Sequence, residues 1–297
     1  MDLKLYLKEK KEAVDGFLRD YIASKKNRRD CPADLCDAMG YALMAGGKRI
    51  RPILSIAAYE AVGGTSGNIL PVASSLELIH TYSLIHDDLP AMDNDDFRRN
   101  KPTTHRVFGE AAAILAGDAL LTDAFNIISH AEAPAAILID VIRELSYACG
   151  PEGLVGGQSL DLILEGRKAE KSEVEYIHTR KTGALIRTSV RIGALMAGAP
   201  QAELGYLTEY GEKIGLAFQI TDDILDVTGT MEELGKSTGA DDARGKNTYP
   251  SAFGLKESRE IAERLVNDAV RAVENLNKKA EPLSDSEIAK YILSRRN

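Results

Sequence analysis

Between His80 and His105 the chain reads HTYSLIHDDLPAMDNDDFRRNKPTTH, so that Asp87, Asp88, Asp93, Asp95 and Asp96 are followed at once by Arg98 and Arg99. Carboxylates this close repel one another unless cations lie among them. Hard oxygen ligands suit Mg2+, which bridges a few carboxylates to substrate phosphates, and guanidinium groups are planar donors that clasp phosphate oxygens. The stretch therefore predicts a metal-bridged diphosphate site. A second acidic cluster, Asp222, Asp223 and Asp226, follows Phe218 and Gln219. On a straight helix Asp226 lies about 40° and Gln219 about 60° from Asp222, so one face carries the group. A solvated acidic face is the ordinary reading, but Leu216, Ile220, Ile224 and Leu225 mark a core helix. Two such clusters would be costly without shared cations.

Cations recur at three other places. Gly46-Gly47 is followed by Lys48, Arg49 and Arg51, and three cations in four residues on a glycine hinge favour anion binding over a simple helix cap. Lys181-Thr182-Gly183 forms a small polar notch. The stretch GTMEELGKSTGADDARGKNTYP carries Lys236 and Lys246 among glycines and reads as a mobile loop.

The elements that must position these residues are helical. Apolar residues at three- and four-residue steps predict helices over 2–28, 32–45, 52–62, 66–88, 109–130, 134–150, 172–197, 201–226, 251–277 and 285–294. Pro90 ends the helix that carries Asp87, after which Asp93 is expected to fold back towards Asp87. His80 and Asp87 lie about two turns apart on one face, with Ser83 one turn below Asp87; a satisfied core histidine is the alternative for His80. Gln158 and Asp161 share a face of an apolar helix, and Asp118 reads as buried. The basic run from Lys25 to Arg29 reads as a solvated helix end, and Ser172 with Glu175 has capping-box spacing.

Composition bounds the rest. The chain has 297 residues, 44% of them hydrophobic, and a net charge of −8, which argues against a nucleic-acid partner. Cys31, Cys36 and Cys149 contain no Cys-x-x-Cys pair and suggest neither zinc nor a disulfide framework, so a reducing cytoplasm is expected. No run reaches the roughly 18 apolar residues of a membrane span. No repeat, Walker loop or nucleophilic triad appears, and residues 1–297 read as one domain.

DDLPAMD (Asp87 to Asp93) with Arg98-Arg99, and DDILD (Asp222 to Asp226) after Phe218-Gln219, resemble the first and second aspartate-rich motifs of the trans-prenyl diphosphate synthases. GGKRIRP, GGQSLDL, Lys181-Thr182 and GKSTGADDARGKNTY fall in that family's order, and the resemblance runs from about residue 35 to the end. Four residues separate the aspartate pair from Asp93, as in bacterial-type farnesyl and plant-type geranylgeranyl synthases. Asn100 replaces the glycine expected after the arginines, which puts the local turn in question.

The resemblance implies an all-α isoprenoid synthase fold, antiparallel helices around a central cavity, usually a homodimer, with the acidic motifs facing across the cavity mouth. It implies that Asp87, Asp93 and Asp222 hold Mg2+ against an allylic diphosphate, while Asp88, Asp223 and Asp226 ligate or orient from behind. Arg98, Lys181, Lys236 and Lys246 would neutralise the departing diphosphate. Lys48, Arg51, His80 and Arg99 would hold isopentenyl diphosphate, and Thr182 and Gln219 would lie beside the allylic cation. The starters expected are dimethylallyl and geranyl diphosphate. Each added isoprene unit buries five carbons, about 4 kcal/mol at roughly 0.8 per carbon, so something must block growth. Tyr82, with Ser83 beside it, resembles the aromatic floor of farnesyl-forming enzymes. Farnesyl diphosphate is the expected product, geranylgeranyl diphosphate the alternative, and a non-catalytic partner subunit the alternative of another class. A terpene cyclase would leave Lys48, Arg51 and Arg99 without a second diphosphate to hold, and a structural metal-binding bundle would not explain the lysines.

Overall fold

The computed structural model describes residues 2–28, 31–228, 245–274, 276 and 287–294. Lys236 lies outside them, as do most of the glycine-rich loop and the basic C-terminal residues. The chain divides into two compact units, one comprising Asp2–Ile56 and Ser66–Pro134, the other Ala57–Thr65 and Ala135–Asn297.

The first unit contains α1 (Leu3–Arg28), α2 (Ala33–Leu43), most of α3 (Ile50–Ala61), α4 (Ile69–Asp87), a hairpin of β1 (Phe97–Arg98) and β2 (Lys101–Pro102), α5 (Thr104–Phe108) and α6 (Glu110–Ser129). Helix α4 is buried around nearly its whole circumference, from Ile69 through Val72, Leu76 and Ile79 to Ile85. A helix apolar all round belongs at the centre, and α6, α1 and α2 pack against it. It ends at Asp87, two residues ahead of the Leu89-Pro90 pair, as the proline requires.

The second unit contains α7 (Ala135–Cys149), α8 (Leu154–Ile163), α9 (Lys171–Ile177), a π-helical segment (His178–Gly183), α10 (Ala184–Met196), α11 (Gln201–Thr228), α12 (Tyr249–Phe253), α13 (Leu255–Val273) and α14 (Glu287–Ser294). Helix α11 is its axis, packing on α10, the π segment, α13 and α14. Helix α13 buries Ser258, Ala262, Val266, Ala269 and Val273, one stripe at three- and four-residue steps. Ala169, Val174, Leu216, Ile220, Tyr249 and Ala262 form one core cluster.

The all-α expectation holds, the two-residue strands apart, and several local expectations change. The helix expected over 172–197 is interrupted by the π segment, and its capping box is one turn-start earlier: the Glu173 carboxylate accepts the Glu170 backbone N–H at 2.8 Å. The helix expected over 251–277 breaks at Gly254, whose φ of +85° suits glycine. The end of α1 is not merely solvated, because Lys25 pairs with Asp123 at 2.5 Å. Asp118 is 59% exposed rather than buried. Cys31 and Cys36 are joined as a disulfide, with Cα atoms 6.3 Å apart, while Cys149 is free and buried. The reason is local geometry: Cys31 lies just ahead of α2 and Cys36 one turn inside it, the two positions at which a staple across a helix start meets. Helix α6 is long and apolar enough to cross a membrane by length and mean hydropathy, 1.5 over its richest window, of which 33% is buried. Asp118 and Asp123 interrupt its apolar run, which is why counting uninterrupted apolar residues passes over it.

Candidate active site

In the first unit the acidic motif is folded by its own backbone. The Asp93 N–H donates to the Asp87 carbonyl at 2.8 Å and the Asp95 N–H to the Asp88 carbonyl at 3.2 Å, so the chain doubles back after Pro90 as expected. Asp87 and Asp93 remain half-exposed, whereas Asp88 is buried. Arg98 Nε donates to Asp88 at 2.6 Å, and Arg98 also meets Asp95 at 3.4 Å. Burial pushes the Asp88 carboxyl up to about 7, against the pull of Arg98. Asp88 therefore faces its arginine, while Asp87 and Asp93 stay half-exposed.

The turn that Asn100 put in question is a two-residue hairpin loop. Phe97 pairs with Pro102 and Arg98 with Lys101, and Arg99 and Asn100 both have positive φ, 52° and 59°. That is the backbone of a type I′ turn, in which asparagine is accepted almost as readily as glycine. The substitution keeps the turn. Its consequence is that the two arginines diverge: Arg98 reaches Asp88, and the Arg99 guanidinium turns to the Gly46 carbonyl.

The glycine hinge explains itself at that contact. Gly47 has φ of +124°, and a Cβ there would sit 2.8 Å from the Arg99 guanidinium. Of the three cations after it, Arg49 is not an anion site. Its side chain is 1% exposed, donating to Glu77 at 2.5 Å, Asp15 at 2.8 Å and the Leu43 carbonyl at 2.6 Å. Arg49 is the buried post on which the Lys48 and Arg51 segment stands. His80 is held well below its ordinary pKa by burial first and then by Arg51, Arg99, Arg98 and Arg49. After burial, Arg51 and Arg99 are the first of the charges that disfavour its protonated form.

Tyr82 is buried, its ring edge-on to His86 at 5.8 Å between centroids. Ser83 Oγ donates to the His80 carbonyl at 2.9 Å. Gly117 on α6 has no side chain because His86 occupies that space, 2.2 Å from where a Cβ would be.

In the second unit, the π segment presents Lys181 and Thr182. Lys181 Nζ donates to Asp161 at 2.7 Å, and Gly157 lets the Lys181 backbone approach, since a Cβ would lie 2.4 Å from its nitrogen. Asp161 thus has Lys181 as its partner, while both amide atoms of Gln158 are buried without one among the described residues. Thr182 Oγ1 donates to Gln219 Oε1 at 2.7 Å, and Gln219 Nε2 donates to Asp223 Oδ1 at 2.8 Å. Asp223 Oδ2 receives His178 Nε2 at 2.6 Å and the Tyr249 N–H at 2.8 Å. Asp222 is half-exposed and Asp226 buried. Lys246 lies in a pinned segment: the Gly245 carbonyl accepts the Gly166 N–H at 3.1 Å, and Asn247 bridges the Ala169 N–H and the Leu164 carbonyl at 2.9 and 3.0 Å. His178 and Asn247 escaped the sequence reading; their signal was a polar residue three positions before a lysine notch and one right after Lys246.

Among the described residues, no three His, Cys, Asp or Glu side chains converge into a closed metal cage. The donor chemistry still fits Mg2+, which commonly takes one or two carboxylates and completes its shell with water and substrate phosphate. Half-exposed Asp87, Asp93 and Asp222 are carboxylates of that kind.

The helical architecture and the two acidic motifs define an isoprenoid synthase. The polyprenyl synthetase family model matches residues 32–283. The chain is 47% identical over 299 residues to a geranylgeranyl diphosphate synthase of Cyanophora paradoxa, covering 100% of this chain and 97% of the relative. It is 47% identical over 278 residues to a farnesyl diphosphate synthase of Geobacillus stearothermophilus, covering 93% and 92%. The crystal structure of a geranylgeranyl pyrophosphate synthetase from Pyrococcus horikoshii Ot3 superposes with a TM-score of 0.88 at 32% identity, covering 99% of this chain and 98% of that one. The chain belongs to the polyprenyl synthetase family and is a prenyltransferase that elongates trans-prenyl diphosphates.

Proposed function

We propose that the protein is a farnesyl diphosphate synthase, condensing isopentenyl diphosphate head-to-tail with dimethylallyl and then geranyl diphosphate. The observation that carries the diphosphate assignment is the seating of the Arg99 guanidinium on the Gly46-Gly47 hinge, between Lys48-Arg51 and the first acidic motif. Neutral His80 can donate to an anion without adding a buried charge. Lys48, Arg51, His80 and Arg99 hold isopentenyl diphosphate. Asp87, Asp93, Asp222 and Asp226 are the carboxylates offered to magnesium, which when bound supplies Lewis-acid stabilisation of the allylic leaving group. Lys181, Lys236, Lys246 and Arg98 add positive charge where the diphosphate departs. Thr182 and Gln219 line the path of the allylic carbon. Asp88 and Asp223, each engaged by its own donors, fit the orienting role better than the ligating one. The released diphosphate takes the proton, so no protein base is required.

Relatives named for both products stand at equal identity, so product length rests on Tyr82. A buried aromatic ring five residues before Asp87 is the floor this reading requires, and it packs edge-on to His86. The apolar face of α6, with Ile114 and Leu115 exposed, is the surface we assign to a second copy of the chain, giving a homodimer.

The test is product analysis by mass spectrometry after incubation with Mg2+, isopentenyl diphosphate and either starter. Fifteen carbons from the wild type and longer chains from Tyr82→Ala are expected. A wild-type product of twenty or more carbons overturns the floor while keeping the mechanism.

A further inference from the structure

The activity proposed above uses no property of His178, yet that residue is bonded to the buried carboxylate of Asp223 in the second acidic cluster. It is 4% exposed, and its partner Asp223 is 2% exposed. A carboxylate buried to that degree is costly unless its oxygens are filled. Here they are: Asp223 Oδ1 accepts from Gln219, and Oδ2 accepts from both His178 and the Tyr249 N–H.

The connections are ordered. On the π segment His178 and Thr182 are four residues apart, and on α11 Gln219 and Asp223 are also four apart. His178 meets Asp223 and Thr182 meets Gln219, so the two antiparallel elements are joined by two rungs, and the Gln219–Asp223 bond ties the rungs together. The close approach this needs is provided by glycine against glycine, since a Cβ on Gly215 would lie 3.0 Å from Gly183 Cα. The third donor, Tyr249, begins α12, just after Lys246 and Asn247. Its ring lies 5.1 Å from that of His178 and stacks on Phe253 at 4.6 Å. Through the one carboxylate of Asp223, His178, on the lysine-bearing π segment, is joined to the acidic helix and to the start of α12.

We propose that His178 is a positioning residue for the second acidic cluster: by donating from Nε2 it locks Asp223 as an internal tie and fixes the rotation of α11 that presents Asp222 and Asp226 to the metal. This rests on the magnesium–diphosphate reading above. His178 Nδ1 is buried with no partner among the described residues, which fits the tautomer carrying its proton on Nε2 and leaving Nδ1 a bare acceptor.

The experiment uses the full chain with Mn2+ as a paramagnetic probe, titrated in the presence of inorganic diphosphate and followed by electron paramagnetic resonance. His178→Leu keeps the bulk and removes the donor; His178→Gln restores a donor near the Nε2 position. The leucine variant is expected to bind Mn2+ about tenfold or more weakly, the scale of one lost hydrogen bond to a charged group, with kcat lowered and the KM for isopentenyl diphosphate kept. The glutamine variant is expected within about threefold of wild type on the same scale. Wild-type affinity in the leucine variant, or equal loss in both variants, overturns the proposal. Nitrogen-15 histidine spectra of the wild type give a reading that does not depend on the variants folding: an exchange-protected, far-downfield Nε2 proton, assigned by its through-space contact with the Tyr249 amide proton that shares Asp223 Oδ2, is expected, and an Nδ1-protonated ring overturns the assignment. A wild type that binds no Mn2+ with diphosphate refutes the magnesium–diphosphate reading instead, and the tautomer measurement still decides the His178–Asp223 tie.

Discussion

Arg49→Met removes the buried post beneath the Lys48–Arg51 segment, and its cost follows from what is left behind. Glu77 is 2% exposed and loses its partner at 2.5 Å. An uncompensated buried charge of this kind costs about 3–5 kcal/mol. The Leu43 carbonyl, bonded to Arg49 at 2.6 Å, loses its donor as well, adding about 1 kcal/mol. Asp15 contributes little, because it is more exposed and keeps Lys11 at 2.7 Å. The sum, about 4–6 kcal/mol, is a large share of the 5–15 kcal/mol by which domains are stable. Urea denaturation followed by circular dichroism measures it. Arg49→Met with Glu77→Met should recover about 3 kcal/mol of the loss, since two apolar groups replace the pair. A single variant within about 1 kcal/mol of wild type, or a double variant no better than the single one, refutes the reasoning that the pair is coupled and fully desolvated.

Three further outcomes are expected. Gly47→Ala forces a Cβ into the Arg99 guanidinium 2.8 Å away at a positive φ; calorimetry should show isopentenyl diphosphate binding weakened by about tenfold or more, the scale of one displaced charge-assisted contact, and unchanged binding would refute the role given to Arg99. His80 is depressed below 6.5 in the folded protein by burial and four arginines. Its unfolded form therefore takes up the proton first, and its contribution to stability is lost as pH falls below about 6.5; an imidazole resonance of His80 that titrates at an ordinary value would contradict this. Alkylation without reductant should leave Cys31 and Cys36 unmodified and label Cys149 only on unfolding, because the pair is a disulfide and Cys149 is buried; prompt labelling of Cys31 would contradict the pairing.

The local geometry of the candidate site was legible where its residues are close in sequence. Asp87, Asp93 and the arginine pair lie in one stretch, and the break at Pro90 is a local rule, so the return of Asp93 to Asp87 followed from proline chemistry. Helix boundaries were mostly legible for the same reason. Arg49 was misread because its role depends on Asp15 and Glu77, respectively 34 and 28 residues away, and sequence spacing gives no measure of such pairing. The π segment was invisible: one extra residue per turn leaves no mark on hydrophobic periodicity, yet it sets where His178, Lys181 and Thr182 point. Asp118 misled in the opposite sense, since an apolar helix with one bare face looks the same on paper as a buried one.

The type I′ turn at Arg99-Asn100 has a consequence for how the site tolerates change. Because both residues are left-handed, side chains on either side of the loop leave the hairpin in divergent directions, and one dipeptide serves both an internal carboxylate and the glycine hinge. Loop length, more than residue identity, is then the guarded quantity. Glycine or asparagine at position 100 gives the same corner, whereas one inserted residue would rotate one arginine off its target while leaving the other in place, and so uncouple the acidic motif from the hinge without altering a single charge.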